Sequence, residues 1–104
     1  MSENKEIKPI NIEIQVDEVT AQGQYVNLVV ATHSSSEFLL DFIFIPPGQL
    51  KARVRSRVLL APEHAKRLLM LLNENLHNYE RRFGEIKLPE LGFGPPVMPP
   101  KVVQ

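Results

Sequence analysis

The chain has no cysteine among its 104 residues, which excludes disulfides, thiolate nucleophiles and cysteine-based metal sites. It also lacks net charge: twelve Lys and Arg residues offset twelve Asp and Glu residues. That balance removes any global electrostatic case for nucleic acid or an anionic membrane, leaving only local patches. No apolar run approaches the roughly 20 residues needed to span a bilayer. The first residues, Met1 to Glu6, are polar and lack the apolar centre of a signal peptide. The expectation is a soluble cytoplasmic protein with no membrane partner and no cofactor. Gly92-Phe93-Gly94 lies between prolines rather than between a strand and a helix, so it is no dinucleotide fingerprint, and no glycine-rich phosphate loop occurs elsewhere.

What is present is enough for one small domain. A chain of this size buries roughly 60–70% of the surface its unfolded form exposes, so any extra apolar face calls for a second copy or a partner. Residues 1–9 read as a polar arm. Ile10, Ile12, Ile14 and Val16 alternate with Asn11, Glu13 and Gln15, the period-two pattern of a half-buried strand. Asp17 to Gln24 reads as a loop. A second strand is expected from about Tyr25 to His33, a serine turn at Ser34-Ser35-Ser36, and a third strand from Glu37 to Ile45. Pro46-Pro47-Gly48-Gln49 fits a type II turn, Pro47 setting φ near −65° and Gly48 supplying φ > 0. A fourth strand follows from about Leu50 to Leu60.

The helix signal is the strongest. Pro62 suits the first helical position, and Glu63 complements the positive end of the dipole. Ala65, Leu68, Leu69, Leu72, Leu76, Tyr79 and Phe83 follow helical spacing, Arg81 and Arg82 sit in the last turn, and Gly84 is a natural stop. About 22 residues make a rod of roughly 33 Å. Ala61 is a poor N-cap. Beyond Ile86 the composition turns proline-rich, predicting an extended or disordered tail over 87–104. The expected fold is therefore α+β: a four-stranded antiparallel meander followed by one long C-terminal helix on one face, in a single domain over 10–86.

Register decides which side chains share a face. With His33 opposite Glu37, Val30 meets Leu40 and Leu28 meets Phe42; with Ile45 opposite Lys51, Phe42 neighbours Val54. A slip of one residue swaps the faces, and a slip of two preserves them. In this register Ile10, Ile12, Ile14, Val26, Leu28, Val30, Phe38, Leu40, Phe42, Phe44, Val54 and Val58 form the floor for the helix. The outer face carries Leu39, Asp41, Ile43 and Ile45, and ends at Lys51, Arg53, Arg55 and Arg57. Leu39, Ile43 and Ile45 are each worth roughly 1.5–3 kcal/mol if buried, so their cluster predicts a contact surface for a homo-oligomer. The helix flank carrying Met70 and Leu71 is the alternative surface, and arginine stems or the proline-rich tail could instead cover the patch.

The basic row at Lys51, Arg53, Arg55 and Arg57 could follow a phosphate backbone. Its plainer reading is structural: Glu13, Glu37 and Asp41 lie on the same face, and basic residues guard an edge strand against aggregation. His33 beside Ser34, Ser35 and Ser36 makes no triad, because neighbours in a hairpin point apart. Glu63-His64 has no second histidine at i+4, and His77 is too distant to complete a zinc motif. Pro96-Val97-Met98-Pro99 matches P-x-x-P, a weak docking signal on a tail.

Several blocks resemble a family of short prokaryotic proteins catalogued only as a domain of unknown function. They are Tyr25-Val26-Asn27-Leu28, Thr32-His33-Ser34, Glu37-Phe38, Asp41-Phe42 and Pro47-Gly48. The most specific is Ala52-Arg53-Val54-Arg55-Ser56-Arg57-Val58, leading into Pro62-Glu63-His64-Ala65-Lys66-Arg67-Leu68. The resemblance covers about residues 10–86 and implies membership without an activity, cofactor or site. Ala61 stands where the family's serine or threonine precedes Pro-Glu-His, which affects only the cap. Four strands followed by a long helix also look like the subunit of the SecB export chaperone, a fold-level analogy. The expected function is a non-enzymatic, oligomeric, protein-binding role of chaperone-like character. The alternative is nucleic-acid association through Arg53, Arg55 and Arg57.

Overall fold

The computed structural model describes residues 10–89. Its elements run α1 (Glu18–Ala21), β1 (Leu28–His33), β2 (Phe38–Phe44), β3 (Arg53–Leu60) and α2 (Pro62–Phe83). The strands form one antiparallel sheet in the order β1-β2-β3. The fold class is α+β as expected, with three strands among the described residues against the four expected. The segment Ile10–Val16 forms no strand. Alternation specifies which side chains share a face but supplies no backbone partner, and here the isoleucines are exposed. Asp17 instead caps α1, its carboxylate accepting the Thr20 N–H at 2.9 Å. Residues 90–104 of the proline-rich tail, with its P-x-x-P, lie outside the described residues, as does the polar arm, while Leu88 at the start of the tail is exposed.

Both hairpins differ from the expected register, for local reasons. Ser34 N–H donates to the Glu37 carbonyl at 2.9 Å, so Ser34 pairs with Glu37 and only Ser35-Ser36 make the loop, a favoured hairpin length. The Ser34 hydroxyl secures it by accepting the N–H groups of Ser36 and Glu37 at 3.2 and 3.3 Å. Pairing is thereby His33↔Phe38, Val30↔Asp41 and Leu28↔Ile43, one residue from the expected register. The second turn is as predicted: Gln49 N–H donates to the Pro46 carbonyl at 3.2 Å, and Gly48 has φ 76°. Phe44 then faces Arg53 and Ile43 faces Val54, a register shift falls between Phe42 and Ile43, and beyond it Phe42 faces Ser56 and Asp41 faces Arg57. That irregularity is a β-bulge, which adds a residue to one strand and redirects its side chains.

The one-residue slip exchanges the faces of β1, whereas pairing with β3 beyond the bulge is two residues from the expected register and preserves them. Val30, Asp41 and Ile43 now lie side by side, and they are the buried residues, at 4%, 1% and 5% exposure. The expected outer face is thus the centre of the chain's own core, and Asp41 and Ile43 are not free for a partner. Leu39 and Ile45 are half-buried, as are Phe38, Leu40, Phe42 and Phe44 of the expected helix floor.

The helix matches its sequence signals from end to end. Pro62 stands at its start, and Ala61 makes no side-chain cap. Gly84, at φ 99°, donates its N–H to the Glu80 carbonyl at 2.9 Å and ends it. The helix meets the sheet chiefly at β3 and buries none of its residues.

Candidate functional site

The bulge divides the basic row into two environments. Beyond it, Arg57 reaches the Asp41 carboxylate in a two-point contact, Nε to Oδ1 at 2.7 Å and Nη2 to Oδ2 at 3.0 Å. This fork-on-carboxylate geometry is the strong form of a charged hydrogen bond. Hydrogen bonding from Arg57 holds the Asp41 carboxyl below its ordinary range against the opposing effect of burial, and the same bond raises the Arg57 pKa. Both charges are satisfied within the chain. Arg57 therefore leaves the row of potential phosphate contacts and becomes the partner of a buried carboxylate.

On the turn side of the bulge the arginines have no acidic partner among the described residues. The Arg55 guanidinium lies over the Phe44 ring, 5.3 Å from its centroid. Tyr25 meets the same ring edge-on at 6.0 Å. Asn27 fixes this end of the sheet: its Nδ2 donates to the Ile45 carbonyl at 3.0 Å, and its Oδ1 accepts the Ile45 N–H at 2.8 Å. Phe44, Pro46, Lys51, Arg53 and Arg55 border an open depression of about 430 Å³. Three cations around an aromatic pair can attract an anion and offer a face for stacking. Sequence reading found the cations but placed them in one row with Arg57. It missed Phe44 and Tyr25 as their companions, since only the bulge brings Arg55 over Phe44.

The second candidate is the apolar stripe of α2. Leu69 and Phe83 are 68% and 67% exposed, and Leu72, Leu76 and Tyr79 are also open. Leu72, Leu76, Tyr79, Phe83 and Ile86 border a groove of about 500 Å³, its end shaped where Ile86 N–H donates to Glu80 Oε2 at 2.9 Å. Tyr79 and Phe83 stack at 5.0 Å.

A family model described as "Protein of unknown function (DUF3467)" matches residues 1–88. The chain belongs to the DUF3467 family. Neither a curated protein nor a solved structure matches it, so the SecB analogy has no support beyond element order, and the sheet is a strand short of it. Two histidines of this DUF3467 member have close polar neighbours. His33 Nδ1 lies 3.4 Å from the Ser34 carbonyl oxygen, and His64 Nδ1 lies 3.4 Å from Arg67 Nη1. Among the described residues no three His, Asp or Glu side chains gather as metal ligands, and no helix is long and apolar enough to cross a membrane.

Proposed function

We propose that this DUF3467 protein is a non-enzymatic, cytoplasmic interaction protein that works as a homo-oligomer and engages other proteins through apolar surface, in the manner of a chaperone. One observation carries the reading: Val30 and Ile43 are the only buried apolar residues among those described, while Leu68, Leu69, Leu72, Leu76, Tyr79 and Phe83 of α2 stay open. Burying one leucine contributes roughly 1.5–3 kcal/mol, so leaving several uncovered forfeits much of what a small domain can gain. The isoleucines at 10, 12 and 14 support the same reading, since among the described residues a strand-patterned segment without a strand partner accompanies the open edge of β1. Oligomerisation would also provide what packs against the sheet beyond the chain's own contacts. Light scattering at tens of micromolar tests it. A mass above the 11.8 kDa chain is expected, and a monodisperse monomer sinks the proposal.

A second reading has its own support. Lys51, Arg53 and Arg55 surround Phe44 without acidic neighbours, and Tyr25 is 77% exposed, a combination suited to single-stranded nucleic acid. Fluorescence anisotropy with a labelled oligonucleotide should then show affinity that falls steeply with salt and disappears in Arg53→Glu/Arg55→Glu. Salt-insensitive or absent binding removes this reading and leaves the first untouched.

A further inference from the structure

The α2 stripe contains the positions of a helix-pairing seam. Ala65, Leu69, Leu72, Leu76, Tyr79 and Phe83 are separated alternately by four and three residues, the spacing of a two-stranded coiled-coil seam. A helix lying on a sheet uses the same three- and four-residue spacing over a broader stripe, and Leu68 widens this one on one flank; what distinguishes α2 is that the seam is uncovered and bordered by complementary charges. The seam is open in the single chain: Leu69 through Phe83 are exposed along it, and no α2 residue is buried. We infer that α2 pairs antiparallel with α2 of a second copy of this chain, a proposal that rests on the homo-oligomeric reading above and specifies its interface.

The orientation follows from what flanks and fills the seam. In an antiparallel pair centred at the level of Glu74, Leu72 packs on Leu76 of the second copy, Leu69 on Tyr79, and the small Ala65 on the large Phe83. Every large residue then meets a counterpart, with the smallest opposite one of the bulkiest, as interdigitated layers require. The same alignment sets Lys66 beside Glu80 of the second copy, twice by symmetry. It brings the two Asn73 side chains together on one flank of the axis and the two Asn75 side chains on the other, polar pairs of the kind that fix register. Leu68 lies beside Arg82 of the second copy, whose aliphatic stem can cover it. Glu80 gives one carboxylate oxygen to the Ile86 N–H and keeps the other for Lys66. A parallel pair would stack Phe83 on Phe83 and align the two helix dipoles. It would also set Glu80 beside Asn75 instead of a cation, so the charges favour the antiparallel form.

The absence of native cysteine makes the test direct. Leu69→Cys and Tyr79→Cys chains are purified, mixed under subunit exchange and treated with a short bis-maleimide. An antiparallel pair gives the 69–79 cross-link only after mixing, because in that arrangement two Leu69→Cys sites lie about 15 Å apart. Efficient cross-linking of Leu69→Cys alone, or none on mixing, overturns the inference. Leu76→Glu should reduce the mass from light scattering by half or more with unchanged helical circular dichroism, Leu76 being unburied in the single chain. Lys66→Glu and Glu80→Lys should each weaken association at least tenfold, and the double swap should restore it. If wild type oligomerises and these variants do so equally well, the α2 pairing is wrong and the oligomeric reading stands. If wild type is a monomer, both fall.

Discussion

The centre of the sheet and the long helix make opposite use of similar side chains. Around Val30, Asp41 and Ile43 the chain closes on itself: two aliphatic residues and one carboxylate reach near-complete burial, and the carboxylate carries its own counter-ion in Arg57. Along α2 a larger set of leucines and aromatics follows a clean helical pattern and is left open. Apolar content does not distinguish the two regions. The sheet has backbone partners that bring its side chains together, whereas the helix has a well-formed backbone and meets the sheet only slightly, at β3. A helix contains all its hydrogen bonds within itself, so it can be complete as secondary structure while unfinished as tertiary structure.

Truncating side chains in each region should break the symmetry of composition most forcefully. Ile43→Ala is expected to cost roughly 2–5 kcal/mol, the range for removing a buried aliphatic side chain. Leu69→Ala, measured at a dilution where the chain is monomeric, should change stability by no more than about 0.5 kcal/mol. Urea denaturation of both variants reads the difference. Equal losses would mean that α2 is as well packed as the sheet. At higher concentration Leu69→Ala should lose the concentration-dependent part of the midpoint, which Ile43→Ala should keep.

The ion pair sharpens the same contrast. Asp41→Ala strands Arg57, and Arg57→Ala leaves a buried carboxylate without its counter-charge, so each should lower the melting temperature by several degrees. The double variant should lose less than the two singles combined, because a residue that loses its partner is more costly than the absence of both. Arg55→Ala, on the turn side of the bulge, removes only an exposed contact with Phe44. Its expected effect is about 0.5–1 kcal/mol. If Arg55→Ala proved as damaging as Arg57→Ala, the division of the basic row by the bulge would be wrong.

That division also explains what was legible in the sequence. Pro62, Gly84 and the spacing between them give the helix within its observed limits, and Pro47-Gly48 gives the turn with its positive φ at Gly48. These signals are local, carried by residues whose own backbone preferences act where they stand. Faces depend on register, which is a relation between strands. A single hydroxyl, that of Ser34, secures the two-residue loop and moves Asp41 opposite Val30 instead of Leu40. The bulge then carries Arg53 to the opposite face from Arg57. Neither event has a strong signature in composition. The alternating isoleucines show the converse: a strong strand pattern from Ile10 to Val16 that finds no partner strand among the described residues.

Acid should act on the sheet through Asp41. Its carboxyl titrates below the ordinary range in the folded chain because Arg57 hydrogen-bonds the charged form. A depressed folded value means that the unfolded state takes up protons first. The stabilisation is therefore complete above the unfolded pKa of about 3.9 and fades as pH falls from there through the folded value. Asp17, whose carboxyl is lowered by its Thr20 contact, contributes in the same direction at α1. Stability measured from pH 7 downward should stay level in this respect until near pH 4 and then drop. Asp41→Asn should flatten that drop. A variant that retained the full acid-dependent loss would show that other carboxylates carry it.

The smallest expected effect is a gain. Ala61 has the extended backbone of an N-cap, φ −63° and ψ 153°, but no side-chain oxygen to use it. The N–H groups of His64 and Ala65 both reach back to the Ala61 carbonyl at 3.0 Å, and Pro62 has no N–H, which leaves the Glu63 N–H without a side-chain cap. Ala61→Ser should place a hydroxyl oxygen within reach of the second or third helical N–H and add about 0.5–1 kcal/mol. Because the substitution acts on the helix backbone and touches none of the seam, it should raise thermal stability without altering the light-scattering mass. A rise in stability together with a change in mass would mean that the start of α2 is itself part of the interface. The separation between a finished helix and its unfinished packing would then have to be drawn further along the chain, beyond Ala65.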